Sequence, residues 1–142
     1  MIEKILHKEK ILSLIIRKEF ERDGIEFFTP NNFSQQVGYM KRPMNYVIPP
    51  HTHNTVQRDI LFTQEVLLIR SGKIRVDYYD DDHNYLESRV LYPGDVLLLA
   101  YGGHGIEMLE ESEIIEVKQG PYVDEHDKVC FDPVNKENLS IK

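Results

Sequence analysis

Residues 65–79 read EVLLIRSGKIRVDYY, two runs of six or so strand-forming residues separated by Ser71-Gly72-Lys73. Alternation puts Glu65, Leu67 and Ile69 on one face of the first run, and Ile74, Val76 and Tyr78 on one face of the second. A short Gly-containing turn between two such runs predicts a β-hairpin. The pattern continues downstream. A polar tip, DDDHN, leads to YLESRVL, and Tyr92-Pro93-Gly94 leads to DVLLL. GGHG interrupts the chain again before GIEML and EIIEVK, which are expected to pair around Glu110-Glu111-Ser112. Upstream, IEFF follows the Asp23-Gly24 turn, VGYMK and MNYVI follow a polar stretch, and Pro49-Pro50 precedes HTH. Residues 2–20 fit either a helical stripe or buried strands, and the density of β-branched residues favours strand. Many short strands with regular turn signals indicate an all-β sandwich or closed barrel.

With 142 residues, 41% of them hydrophobic and 29% charged, the chain is expected to form a single domain over residues 1–142. The core barrel is placed at about 25–119, N-terminal strands at 1–24 and a polar surface tail at 120–142. A net charge of −7 without a basic run argues against nucleic-acid or anionic-membrane partners and for a small-molecule ligand. No apolar run approaches the roughly 20 residues of a membrane span, and the charged N-terminal stretch does not read as a signal peptide. The lone Cys130 forms no internal disulfide. The expectation is a soluble cytoplasmic protein. A homodimer is expected too, with Ile11–Arg17 as the edge strand at its interface.

The histidines carry the chemistry. If HTH lies on a strand, His51 and His53 point to the same side and can chelate a divalent cation together. Glu65 heads an otherwise apolar face, where a carboxylate costs several kcal/mol unless it is paired or holds a cation. His104 stands between glycines, with Ile106 and Met108 on its face. Gln36, Tyr39, Tyr46, Gln57, Arg58 and Tyr101 form a pool of polar and aromatic residues for the mouth of the barrel. Among them Arg58 could hold a carboxylate or phosphate bidentately. The run Asp80–Asn84 lacks the Gly and Glu of a calcium loop, since Tyr85 and Leu91 stand at those positions, and reads as a solvated tip. His126 and Cys130 have no partner motif. No P-loop, GxSxG or GxGxxG sequence occurs.

In this order the residues resemble the cupin superfamily, whose motifs run G-x5-HxH-x3/4-E-x6-G and G-x5-P-x-G-x2-H-x3-N. His51-x-His53, then Glu65 and after six residues Gly72, match the first; Gly94, Gly102 and His104 match the second. Asn45, Ala100 and Met108 replace motif residues. Eleven residues separate His53 from Glu65, so Gln57 is an alternative ligand, and His104 comes one position early. The resemblance covers residues 44–119 and implies a double-stranded β-helix, or jelly-roll barrel. It also implies a metal site of His51, His53, Glu65 and His104. Such mixed ligation suits Fe, Mn, Ni or Zn. The function expected is that of a metal-dependent oxygenase or isomerase acting on a small polar metabolite such as a sugar derivative. Glu65 or Tyr39 would move protons, and Arg58, Gln36 and Tyr46 would hold the substrate. Two alternatives stand beside it: a metal-independent sugar-nucleotide isomerase or epimerase using the His51/His53 pair, and a non-catalytic binder.

Overall fold

The computed structural model describes residues 1–142, the side chain of Glu125 excepted. It contains ten strands: β1 (Ile2–His7), β2 (Lys10–Ile16), β3 (Gly24–Phe27), β4 (Gly38–Lys41), β5 (Glu65–Ser71), β6 (Ile74–Tyr79), β7 (Tyr85–Leu91), β8 (Val96–Leu99), β9 (Gly103–Met108) and β10 (Glu113–Lys118). All strand pairings are antiparallel. Five strands form a sheet in the order β1-β2-β8-β5-β10, three form a sheet β7-β6-β9, and β3-β4 make a separate ribbon. No helix among the described residues is long and apolar enough to cross a membrane.

The two larger sheets face each other as a sandwich. Between them lie Ile5, Leu12, Ile15, Leu67, Ile69, Leu97 and Leu99 from the first sheet, and Ile74, Val76, Tyr78 and Leu91 from the second. Burying such side chains is worth about 1.5–3 kcal/mol each and sets which residues face inward. Within this apolar layer the Tyr78 hydroxyl donates to Ser13 Oγ at 3.0 Å, which donates to the Leu98 carbonyl at 2.8 Å, so no buried polar side-chain atom there lacks a partner.

The outer faces are covered as well. Leu14, Ile16, Leu98 and Ala100 on the far side of the larger sheet lie under Phe33, Val37, Phe20 and Phe28. The C-terminal segment covers the far side of β6. Phe131 sits edge-on to Tyr79 at 4.9 Å, Val134 N donates to the Tyr79 hydroxyl, and Ser88 exchanges backbone hydrogen bonds with Ser140 and Lys142. This explains why every residue of β6 is buried.

Four expectations are corrected. Residues 65–79 are not a hairpin: β5 pairs with β8 and β10, whereas β6 pairs with β7 and β9. Ser71-Gly72-Lys73 instead turns a corner between the sheets. Gly72 adopts φ +81°, and a Cβ there would come within 2.2 Å of the Glu111 carbonyl oxygen. For the same reason β9 and β10, on either side of Glu110-Glu111-Ser112, belong to different sheets. Ile11–Arg17 is not at an edge, because β2 is flanked by β1 and β8. Lys8 and Glu9, both with positive φ, close a tight hairpin that lays β1 along it. Finally, MNYVI and HTH are not strands. Residues 42–64 form no strand, and Lys41–Thr63 are exposed throughout.

Candidate functional site

Antiparallel pairing fixes which side chains meet at the open end of the sandwich. On β5, Glu65 shares its face with buried Leu67 and Ile69. Its neighbours across the ladder are Lys118 on β10 and Leu99 on β8. On β9, His104 pairs with Tyr78, which looks into the core, so His104 faces inward toward the opposite sheet. The two sheets thus bring Glu65 and His104 together from opposite walls. Glu65 Oε2 stands 3.3 Å from His104 Nε2. The imidazole hydrogen bond holds the Glu65 carboxyl below its ordinary range, against a burial effect in the other direction, with Lys118 and Lys128 adding weaker attraction. Among the described residues Glu65 makes no other side-chain hydrogen bond.

This pair lies in an open cleft of about 1260 Å³, lined by both sheets and by the C-terminal segment. Glu116, Lys118 and Ile106 line it near the pair, and Leu61, Phe62 and Thr63 form part of its rim. His83 stacks on Phe131 at 4.0 Å with an interplanar angle of 7°, building another part of the rim.

A second ionic group also borders the cleft. On the other face of the three-stranded sheet, Arg75 Nε donates to Asp77 Oδ1 at 2.7 Å and Arg75 Nη2 to Asp77 Oδ2 at 3.0 Å. Arg75 Nη2 also donates to Glu107 Oε2 at 2.7 Å, and Ser88 Oγ donates to Asp77 Oδ1 at 2.5 Å. These contacts hold the Arg75 guanidinium well above its ordinary value, in spite of burial. These bonds tie β6 to β7 through Ser88 and to β9 through Glu107, whose other carboxylate oxygen stands 3.5 Å from Lys136 Nζ in the C-terminal segment. The Glu65–His104 pair, in contrast, keeps lone pairs free for a ligand.

The other expected site residues lie elsewhere. His51 and His53 are adjacent, with ring centroids 5.2 Å apart, but they sit on the exposed segment rather than on a strand. His51 Nδ1 is 2.8 Å from the Pro49 carbonyl. Neither histidine lines the cleft. Gln57 and Arg58 are exposed on the same segment. Tyr46 on that segment lies beneath the Arg42 guanidinium, 4.6 Å from its ring centroid. Tyr39, on β4, packs edge-on against Phe20 at 5.1 Å. Gln36 is used up locally: it accepts from Thr29 Oγ1 at 2.7 Å and donates to the Pro30 and Phe33 carbonyls. Among the described residues no group of three or more His, Cys, Asp or Glu side chains stands close enough to hold a metal.

Sequence reasoning passed over several cleft residues. Glu116 and Lys118 alternate on β10 and share the inward face with Leu67 and Glu65, a relation visible only once β10 is paired with β5. His126 and Cys130 also line the cleft, brought there by a tail whose course periodicity cannot fix. Compared with known proteins, the chain matches no family model, no curated protein and no solved structure.

Proposed function

We propose that the cleft binds a small polar metabolite at a divalent transition-metal centre of which Glu65 and His104 are two ligands. In this reading the sandwich is a cupin-type double-stranded β-helix, and His51 and His53, which stand outside the cleft in this structure, would have to be brought to it to supply further donors. The single observation that carries it is the meeting of Glu65 and His104, from opposite sheets, 3.3 Å apart in an open cleft. A half-buried carboxylate beside an imidazole, with no competing side-chain hydrogen bond, is a donor set of the right chemistry for Fe, Mn, Ni or Zn. Such an ion would supply Lewis acidity toward a substrate carbonyl or hydroxyl. The chain's own residues then divide the work. Lys118 favours an anionic substrate group at the same wall, Leu61 and Phe62 limit water at the rim, and Glu65 and His104 fix the orientation of what they hold. The reaction class proposed is oxygenation or isomerisation of a small polar metabolite, such as a sugar derivative.

The same pair favours one second reading, a metal-free acid–base isomerase. There Glu65 would orient the imidazole of His104, which moves the proton. This role suits Glu65–His104 better than His51/His53, because the former pair lines the cleft. Titration of the protein with Co(II), read by visible absorption, separates the two. The metal reading predicts saturable binding near one equivalent, lost in His104→Ala and in Glu65→Gln. Equal spectra for all three proteins would refute it.

A further inference from the structure

The sandwich is sealed along β6 and open one strand further out. On β6 the inward side chains Ile74, Val76 and Tyr78 are 0–1% exposed. β9 sets Met108, Ile106 and His104 directly opposite those three, on the same face. Met108 is nevertheless 53% and Ile106 37% exposed, although both look toward the facing sheet. β9 is also the last strand of its sheet, so the backbone groups on its outer side have no ladder partner among the described residues. Natural sheets rarely leave such an edge bare, and commonly cover it with a loop or another strand.

A second set of exposed apolar side chains belongs to residues 42–63, the connection between β4 and β5. Met44, Val47, Ile48, Val56 and Ile60 all stand in water. Connections of this length without structure of their own are uncommon inside a domain, and apolar surface of this kind marks a place that another surface covers. The segment is anchored beside the open side of the sandwich. Its last residues line the cleft, where the Phe62 ring meets Tyr101, two residues before β9, edge-on at 5.3 Å. Just beyond, buried Gln64 accepts from Gln35 N at 3.1 Å, and its own backbone N–H donates to Gln119 Oε1 at 2.8 Å. With Phe62 held at the start of β9, the residues before it can lie along β9 only in the antiparallel sense, the sense of every other strand pairing here.

Charge favours the same placement. Residues 41–64 carry Lys41, Arg42 and Arg58 against the one carboxylate of Asp59, a net +2. The described lining of the cleft has eight carboxylates against four lysine and arginine side chains, a net −4 with histidines neutral. Pro49 and Pro50 cannot donate to a ladder, and a strand containing them is tolerated at the edge of a sheet, which is where an added outermost strand would be.

We propose that residues 44–61 are a flap that closes on its own chain, adding an outer strand antiparallel to β9 and covering Ile106 and Met108 with its own apolar side chains. The closed flap shuts the open side of the cleft against water, and a ligand enters when it lifts. Closure needs no bound ion, so it stands apart from the metal reading of the site.

Backbone amide exchange on the full chain, followed by NMR, tests it. With the flap open, only the β9 amides bonded to β6 are slow, and the alternate ones, facing the free edge, exchange fast. The closed flap predicts that the alternate amides of Gly103–Met108 are slow as well. Ile48→Ser/Ile60→Ser should restore their fast exchange while the β6 amides stay protected, which also shows that the variant is folded. Fast alternate amides in the wild type, or protection unchanged in the folded variant, overturn the proposal. A nitroxide attached at Val56→Cys in a Cys130→Ser background then separates closure within one chain from pairing between two. The β9 signals of isotope-labelled, nitroxide-carrying protein are expected to broaden, and equally so after dilution with excess unlabelled protein. Absence of broadening, or broadening that disappears on dilution and so assigns the covering strand to a second copy, overturns closure on the same chain.

Discussion

Asp77→Ala should be among the most damaging single substitutions in this protein, although Asp77 borders the cleft and would be taken for a functional residue. Asp77 and Arg75 have only 6% and 8% of their side-chain surfaces exposed, so both charges are desolvated and each relies on the other. Removing one partner of a buried, hydrogen-bonded pair costs about 3–5 kcal/mol, because the survivor is left without compensation. Here Arg75 keeps Glu107, which is 38% exposed and screened by solvent, so the lower end applies, about 3 kcal/mol. For a chain of 142 residues the entropy of unfolding near Tm converts this to a fall of about 10 °C. Urea denaturation followed by circular dichroism measures it directly, with an unchanged m-value expected. The companion variant Arg75→Met/Asp77→Leu removes both charges and should recover most of the loss, since apolar replacement of a buried pair is often neutral. A loss below about 1 kcal/mol in Asp77→Ala, or a double variant as unstable as the single one, would refute the view that this cluster is a structural fastening.

Other outcomes follow from the same geometry. Gly72→Ala should destabilise by at least about 2 kcal/mol, from a left-handed backbone and a Cβ pressed on the Glu111 carbonyl; wild-type thermal stability would show that the corner can relax. Glu3 accepts from Arg17 Nε at 2.6 Å and Arg89 Nε at 3.2 Å, and the Arg17 hydrogen bond holds its carboxyl below the ordinary 4.5. A depressed folded-state pKa stabilises above the unfolded value, and the benefit disappears as pH falls through the folded value. Glu3→Gln should therefore cost about 1 kcal/mol at neutral pH, after solvent screening, and progressively less in melts taken below pH 4.5. A deficit that stays constant down to pH 3 would contradict the assignment. Glu65→Gln and His104→Ala should abolish Co(II) binding while costing no more than about 1 kcal/mol of folding stability, as for Glu3, because each removes one partly solvated hydrogen bond.

The strands were legible because alternation reports which face of a segment is buried. Glu65 with Leu67 and Ile69, and His104 with Ile106 and Met108, could each be assigned a face from residue order alone. Partnership between strands was not legible. The residues that close a hairpin are the same ones that turn a corner between sheets, so Ser71-Gly72-Lys73 gives no sign that β5 and β6 part company. The position of β2 was hidden for a similar reason: an apolar strand at an interface and one inside a sheet have the same composition. His51 and His53 show the limit of spacing arguments most plainly. A two-residue interval places side chains on a common face only within a strand, and the segment after Pro49-Pro50 is not one. The Arg75–Asp77–Glu107 cluster escaped because two of its members alternate on β6 while the third comes from β9.

The central claim is that Glu65 and His104 are ligands of a bound transition metal. Elemental analysis of the protein, purified without a metal-binding tag, tests it most directly. The account predicts close to one equivalent of Fe, Mn, Ni or Zn per chain in the wild type and less than a tenth of that in His104→Ala. Wild-type protein that is folded and free of metal, or a His104→Ala variant that retains the wild-type content, would contradict it.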